Sequence, residues 1–211
     1  MTGSDGSDCL EVWAWRHPRA IGSAGRCVGR TELAVDRRKA KRLAGRIRTA
    51  ARRHGLPREI WTSPLTRAAD VGRILRSWGW THRIDARLVE LDFGAWDGRR
   101  WNLIPHAEVA AWEADFVHHA PGGGESQADL RTRVTDFIDG LRAQTDVASP
   151  SRTRALVVSH AGWITALCAG DDCTDAGRWP KPVPTMGLRR VRLPAAKAQA
   201  AESAAMTSGG A

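Results

Sequence analysis

Two short apolar runs, far apart in the chain, lead into histidines. The first run, Leu10–Trp15, is followed by Arg16 and His17, and the second, Ala155–Val158, is followed after one serine by His160. Short, continuous apolar runs are typical of strands that are buried on both faces of a parallel sheet. Because ligands bind at the carboxyl ends of such strands, we expect the two histidines to meet in one crevice.

The segments between these runs alternate between helix-like and strand-like patterns. A helix is predicted from about Asp36 to His54, and Glu59–Thr62 is predicted as a strand. Ser63 as N-cap and Pro64 as first helical residue predict another helix. Further predictions are a strand at Ile84–Leu88, a helix from Ile104 to about Phe116, a helix after the capping box of Ser126 and Asp129, a helix beginning at Trp163–Leu167 and a strand at Met186–Leu193. This order predicts an α/β fold, a three-layer α/β/α sandwich with a mainly parallel sheet.

The length of 211 residues suits one domain, which we expect to span residues 10–194. Residues 1–9 are polar and rich in Gly and Ser, and residues 195–211 are rich in Ala, Ser and Gly, so both ends are predicted to be disordered. No segment is typical of a signal peptide or a bilayer-spanning helix. With only four cysteines and no disulfide framework, a cytoplasmic protein is expected.

The net charge of +9 is concentrated in one segment. Residues 36–53 contain nine Lys or Arg and one acid, and their apolar residues lie on one helical face, at Ala40, Leu43, Ala44, Ile47 and Ala51. We interpret the segment as an amphipathic helix with a solvated basic face. The alternative is a nucleic-acid-binding protein without catalysis. That class interleaves aromatic and basic residues, and this segment has no aromatic residue, so nucleic acid is not the expected partner.

The residue types at the predicted strand ends suit an anion. Arg16 precedes His17, and Arg67 follows another predicted strand, in the first turn of the helix that Ser63 opens. A helix N-terminus offers free N–H groups, and guanidinium groups bind phosphate in a bidentate manner. Cys168 and Cys173 could form half of a zinc site, but no second pair follows, so free thiols and no metal are expected.

Five ordered sequence blocks resemble the histidine phosphatase (phosphoglycerate mutase-like) superfamily. They span Leu10 to about Leu167. The blocks are Arg16-His17 with Gly25-Arg26 and Gly29, Ser63-Pro64-Leu65-Thr66-Arg67-Ala68, Val89 to Gly98, Gly123-Gly124-Glu125-Ser126, and Val158-Ser159-His160-Ala161-Gly162. The resemblance implies a phosphoglycerate mutase-like fold and a histidine phosphatase domain at residues 10–194.

The resemblance also implies a role for each matched residue. His17 would be the nucleophile that becomes phosphohistidine, and Glu90 would protonate the leaving alcohol and later activate water. The phosphoryl oxygens would be bound by Arg16, Arg67 and His160, and the substrate would contact Val28, Gly29 and Ala161. No cofactor is implied, and the expected partner is a small-molecule phosphomonoester.

This chemistry sets conditions that a structure can test. An imidazole attacks phosphorus only through an unprotonated ring nitrogen, so the other nitrogen of His17 needs a hydrogen-bond acceptor. Phosphoryl transfer depends on positioning and charge stabilisation, which two guanidinium groups and an imidazolium at His160 would supply without a metal. An alkoxide leaves poorly, so Glu90 must carry a proton when the bond breaks.

Several details resemble the α-ribazole phosphatase branch of the superfamily. Pro18 stands where the family has Gly, and the loop Gly25–Arg30 and the segment Trp96–Pro105 match the branch. The implied substrate is α-ribazole 5′-phosphate, used in assembly of the cobalamin nucleotide loop. Another small phosphoester or a phosphoprotein is the alternative. The aromatic part of the substrate needs an apolar wall, and Trp96, Trp101 and Trp112 could either form it or belong to the core. The oligomeric state stays open.

Overall fold

The computed structural model describes residues 9–144, 154–169, 173, 175 and 177–194. These described residues form five strands and five α-helices. The strands are β1 (Cys9–Arg16), β2 (Glu59–Thr62), β3 (Thr81–Ile84), β4 (Arg154–Ser159) and β5 (Leu188–Pro194). The helices are α1 (Arg37–His54), α2 (Thr66–Ser77), α3 (His106–Ala114), α4 (Gln127–Ala143) and α5 (Ala161–Cys168). The predicted α/β class is confirmed.

The strands form one sheet in the order β3-β2-β4-β1-β5. Neighbouring strands run parallel except β5, which pairs antiparallel with β1 along the sheet edge. The central pair is β1 and β4, in which Arg16 lies opposite Ser159. The carboxyl ends of β1, β2 and β4 therefore meet at one edge of the sheet, as the sequence predicts.

Helices cover both faces of this sheet and form two separate cores. On one face, α1 and α2 pack on Trp13, Trp15 and Leu156. On the other, α4 and α5 pack on Val12, Ala14 and other residues of β1, β2 and β4. Because side chains alternate across a strand, neighbouring residues of β1 enter different cores. This arrangement is the predicted three-layer sandwich.

The basic helix α1 forms as the sequence predicts. The Asp36 carboxylate accepts hydrogen bonds from the amides of Arg38 and Lys39 at its start, and Gly55 ends it with a φ of 61°. Its buried residues are Ala40, Leu43, Ala44, Ile47 and Ala51, the five predicted to form the apolar face. The apolar face therefore belongs to the core, and the Lys and Arg side chains lie towards solvent.

Two local predictions are wrong. The helix expected to begin at Ser63 begins at Thr66, because the Ser63 hydroxyl bonds a distant side chain and caps nothing. The strand expected at residues 84–88 ends at Ile84, where Asp85 caps a 3₁₀ turn over Ala86–Leu88. A short apolar stretch has no period long enough to separate the end of a strand from a turn.

The predictions for the two chain ends lie mostly outside the described residues. Residues 1–8 and 195–211 lie outside the described residues, whereas Cys9, predicted to be disordered, is the first residue of β1. Among the helices that the structure describes, none combines the length and the apolar character needed to cross a bilayer.

Candidate active site

Parallel strands bring the predicted site residues to one edge of the sheet. His17 directly follows β1, Ser63 directly follows β2, and His160 directly follows β4. The rings of His17 and His160 lie 4.9 Å apart between centroids. Arg67 reaches the same place from the first turn of α2. The two histidines predicted from the apolar runs therefore do meet at one edge of the sheet, with Arg67 beside them.

The ring of His17 is held with one nitrogen available. Its Nδ1 lies 2.6 Å from the carbonyl oxygen of Pro18. A carbonyl oxygen can only accept, so Nδ1 carries the proton and Nε2 keeps its lone pair in the neutral ring. Burial, together with the nearby charges of Arg67 and Arg16, lowers the pKa of His17 from 6.5 to about 3. The acceptor that the nucleophile requires is the main-chain carbonyl of Pro18, a group that Pro shares with the Gly usual at this position.

The second histidine is neutral and has both ring nitrogens engaged. The Nδ1 atom of His160 accepts from Nε of Arg67 at 3.2 Å, and Nε2 lies 2.7 Å from the hydroxyl oxygen of Ser63. Because Nδ1 accepts, Nε2 carries the ring proton and donates it to Ser63. Burial and the neighbouring cationic side chains hold the pKa of His160 well below its usual value. The structure therefore contradicts the expected imidazolium.

The two site arginines differ in how they are held. Arg67 is only 1% exposed, and it donates to the carbonyl oxygen of Thr31 at 2.8 Å and to that of Gly29. Arg16 donates to the carbonyl oxygen of Val183 at 2.9 Å, while its buried Nε atom has no partner among the described residues. Burial lowers the pKa of both side chains, although a guanidinium stays charged at any physiological pH.

The carboxylate of Glu90 is buried at the N-terminus of α5. Its Oε1 accepts from the amides of Leu91 at 3.0 Å and Trp163 at 3.3 Å, and its Oε2 accepts from the amide of Gly162 at 3.1 Å. Gly162 is required there, because a Cβ atom would lie 2.4 Å from Oε1. A carboxylate has about four acceptor positions. Three are occupied, and the remaining one is on Oε2.

An arginine that the sequence analysis missed holds the loop around Glu90. Arg133, on α4, donates to the carbonyl oxygens of Arg87 and Val89 at 2.8 and 2.9 Å. Its guanidinium also pairs with the carboxylate of Glu125 at 2.7 Å, and Glu125 accepts from the amide of Asp92. Glu125 belongs to a recognised sequence block, whereas nothing in the local pattern marks Arg133.

The predicted substrate-contact residues differ in burial and in whether their backbone groups are already hydrogen-bonded. Val28 is half-buried, and Ala161 is the half-buried first residue of α5. Both backbone polar groups of Gly29 are engaged, the amide with Asp97 and the carbonyl with Arg67. Gly29 therefore supports Arg67 in this arrangement, and its amide is not directed at a substrate.

The three tryptophans left open by the sequence take different positions. Trp96 is 1% exposed and donates its indole N–H to Glu108, so it belongs to the core. Trp112 packs among aromatic rings that include Phe93. Trp101 is 40% exposed and also packs edge-to-face on Phe93. Only Trp101 therefore combines exposure with a connection to the site, since Phe93 lies against Gly29.

The helix end expected to bind an anion is engaged within the protein itself. The first amide of α2, that of Thr66, donates to the carboxylate of Glu32 at 3.1 Å, so this amide is not available to an anion. Cys168 and Cys173 are free thiols. Within the described part of the chain, no group of three or more His, Cys, Asp or Glu side chains is placed to hold a metal ion.

Comparisons with known proteins agree on the architecture. The model of the histidine phosphatase superfamily (branch 1) matches residues 12–200. A mycobacterial glucosyl-3-phosphoglycerate phosphatase is similar, with 24% identity, a TM-score of 0.73 and coverage of 87% of this chain and 90% of that chain. The α-ribazole phosphatase from Shigella flexneri has 23% identity, a TM-score of 0.67 and coverage of 86% and 89%. A search of the curated proteins finds no match.

Proposed function

This chain belongs to the histidine phosphatase superfamily, and we propose that it is a phosphomonoester hydrolase in which His17 takes up the phosphoryl group and passes it to water. One observation carries the proposal. The Pro18 carbonyl fixes the proton of His17 on Nδ1, so that Nε2 is free to attack beside two guanidinium groups. The active domain is proposed to comprise residues 10–194.

The first chemical step forms a nitrogen–phosphorus bond. The substrate phosphoryl group lies between Arg16 and Arg67, and the lone pair on Nε2 of His17 attacks phosphorus. The bond from phosphorus to the alcohol oxygen breaks, and that oxygen takes a proton from Glu90. The free acceptor position on Oε2 is the place where Glu90 would carry this proton.

The second step returns the enzyme to its starting state. Glu90, now a carboxylate, takes a proton from water as the water oxygen attacks phosphorus. The nitrogen–phosphorus bond breaks, its electron pair returns to Nε2, and inorganic phosphate leaves. The Pro18 carbonyl stabilises the charged phosphohistidine ring through Nδ1 in the intermediate. The guanidinium groups of Arg16 and Arg67 stabilise the phosphoryl charge, so we propose a metal-independent reaction.

For the substrate, we propose α-ribazole 5′-phosphate, with other small phosphoesters or a phosphoprotein as the alternative. The exposed indole of Trp101, joined to Gly29 through Phe93, supports an apolar contact for the benzimidazole ring. The loop sequence from Gly25 to Arg30 supports the same branch. A relative named for glucosyl-3-phosphoglycerate makes that ester a useful competitor in the test.

Phosphoenzyme trapping tests the reaction. Rapid acid-free quenching after mixing with a ³²P-labelled ester should give label on His17 that is stable to base and labile to acid. His17→Asn should give no label, and activity should persist in EDTA. Loss of activity in EDTA with recovery on adding magnesium would contradict metal independence, and a label on another residue would contradict the mechanism.

A kinetic comparison tests the substrate. We expect kcat/KM for α-ribazole 5′-phosphate to exceed those for ribose 5-phosphate, 3-phosphoglycerate and glucosyl-3-phosphoglycerate at least about tenfold, or ~1.4 kcal/mol of transition-state binding. Trp101→Ala should reduce this advantage with little effect on ribose 5-phosphate. If a competing ester equals or exceeds α-ribazole 5′-phosphate, the substrate assignment fails and the phosphohistidine mechanism stands.

A further inference from the structure

One carboxylate outside the recognised chemistry collects an unusual number of hydrogen bonds. Asp97 accepts from the amides of Gly29, Arg30 and Thr31 at 2.9, 2.6 and 2.9 Å, and from the Thr31 hydroxyl at 2.6 Å. Four donors from three consecutive residues use all the acceptor positions of a carboxylate. Asp97 therefore holds the whole loop of residues 29–31 in one conformation.

The same loop holds the phosphate-binding arginine from its other side. The carbonyl oxygens of Gly29 and Thr31 accept from the two terminal nitrogens of Arg67, while their amides face Asp97. The guanidinium is thus placed by two backbone carbonyls of a loop that one carboxylate holds. The Gly29 carbonyl shares its peptide unit with the Arg30 amide, which donates to Asp97, and the Thr31 carbonyl belongs to a residue whose amide and hydroxyl both donate to Asp97. A shift of the loop would shift or release both carbonyls together.

Neighbouring contacts leave the loop little freedom to move in other directions. A Cβ atom on Gly29 would lie 2.3 Å from the carbonyl oxygen of Leu91, so the backbone is closely packed there. On the other side of Asp97, the amide of Gly98 donates to the carbonyl oxygen of Cys27 at 2.8 Å. Burial opposes the charge of Asp97, but its hydrogen bonds from Thr31, Gly29 and Arg30 together hold its pKa below the usual value.

We propose that Asp97 is a positioning residue that sets the guanidinium of Arg67 for phosphoryl binding through the loop of residues 29–31. The inference rests on the proposed function, because it assigns Arg67 to the phosphoryl group. Asp97 does not contact the substrate. Its loss should therefore weaken phosphate binding and slow transfer from every ester alike, since the phosphoryl group is common to all of them.

The test uses inorganic phosphate as the probe and the full-length protein. Asp97→Asn keeps the shape but replaces one acceptor oxygen with an N–H₂ group that opposes the loop amides. We expect phosphate affinity, measured by calorimetry, to fall at least about tenfold, with similar losses of kcat for p-nitrophenyl phosphate and for alkyl phosphates. Glu108→Gln is the matched control, because Glu108 binds the indole of Trp96 in the same region and makes no hydrogen bond or ion pair with the loop among the described residues.

A double-mutant cycle separates positioning from a general loss of structure. On an Arg67→Lys background, Asp97→Asn should reduce phosphate affinity by much less than in the wild-type protein, because the two changes affect one interaction. Additive effects would overturn the proposal, as would wild-type phosphate affinity in a folded Asp97→Asn protein. If Asp97→Asn does not fold, Thr31→Val should weaken phosphate binding while Thr31→Ser, which keeps the hydroxyl, should not. Equal affinities in that pair would also overturn it.

These outcomes can be distinguished from failure of the proposed function. A wild-type protein that binds phosphate but hydrolyses no ester would refute the phosphatase activity, and the binding measurements would still decide the role of Asp97. A wild-type protein that hydrolyses esters while Asp97→Asn behaves like Glu108→Gln would refute only the positioning role. A wild-type protein that binds no phosphate would remove the assignment of Arg67 and overturn the proposal.

Discussion

The Nδ1 atom of His160 accepts a hydrogen bond from Nε of Arg67 at 3.2 Å. Both side chains are almost completely buried, at 0% and 1% exposure. The histidine therefore orients a guanidinium and carries no charge of its own in this arrangement. The positive charge of the site comes from Arg16 and Arg67, and the neutral ring of His160 fixes the orientation of the Arg67 guanidinium.

Replacement of Ser63 tests the orientation of His160. In Ser63→Ala, the buried Nε2–H of His160 loses its acceptor, which should cost about 1–3 kcal/mol of unfolding free energy. Activity should fall as well, because the ring can then turn away from Arg67. Ser77→Ala is the control, since this exposed serine only bonds a carbonyl of its own helix. Urea unfolding and steady-state kinetics measure both effects, and equal behaviour of the two variants would contradict the role of Ser63.

The buried histidines predict a loss of stability in acid. The pKa of His17 is about 3 in the folded protein against an ordinary 6.5, and that of His160 is also lowered. Below about pH 6.5 the unfolded chain binds protons that the folded protein does not, so stability falls by up to about 1.4 kcal/mol per pH unit for each histidine. The loss continues as the pH falls towards the folded pKa values.

Urea unfolding between about pH 7.5 and about pH 5 measures this loss. His82 is a third histidine whose pKa is lowered, chiefly by burial, and it contributes to the same loss. His17→Gln removes one of these three rings and should give a shallower dependence over the same range. His106 is exposed at the start of α3, so His106→Gln should leave the pH dependence of the unfolding free energy as it is in the wild-type protein. The same slope in all three proteins would show that the site histidines do not control acid stability.

Replacement of Glu90 tests proton donation to the leaving group. Glu90→Gln should slow hydrolysis of alkyl phosphates by about 10²–10⁴-fold and that of p-nitrophenyl phosphate far less, because a phenolate leaves without a proton. Gln also presents only one oxygen to the amides of Gly162 and Trp163, so thermal unfolding must be measured in parallel. Equal losses on both classes of ester would indicate a positioning role at the start of α5.

The exposed face of α1 provides a prediction about charge. Replacing Arg38, Arg42 and Arg46 with Gln should leave kcat unchanged, because these exposed side chains lie on the solvent face of α1. A modest decrease of kcat/KM at low salt is expected from weaker attraction of anionic substrates. Duplex DNA binding with a steep dependence on salt that is lost in the triple variant would instead support a nucleic-acid partner.

The local elements and the place of the site could be predicted from the sequence. The apolar runs before His17 and His160, the capping box at Ser126 and the five apolar residues of α1 all depend on residues close together in the chain. Parallel pairing of buried strands then requires their carboxyl ends to share an edge. Periodicity and capping therefore determined the three-layer fold and the meeting of the histidines.

The hydrogen-bond partners and charge states of the site were decided only by the tertiary structure. Ser63 and His160 are 97 positions apart, and Asp97 reaches Gly29 across 68 positions. No local pattern encodes such pairs, because they depend on which loops meet at the sheet edge. Whether a histidine ring is protonated also depends on how completely its surroundings exclude water. For that reason the sequence could place His160 in the site but could not show that its ring is neutral there.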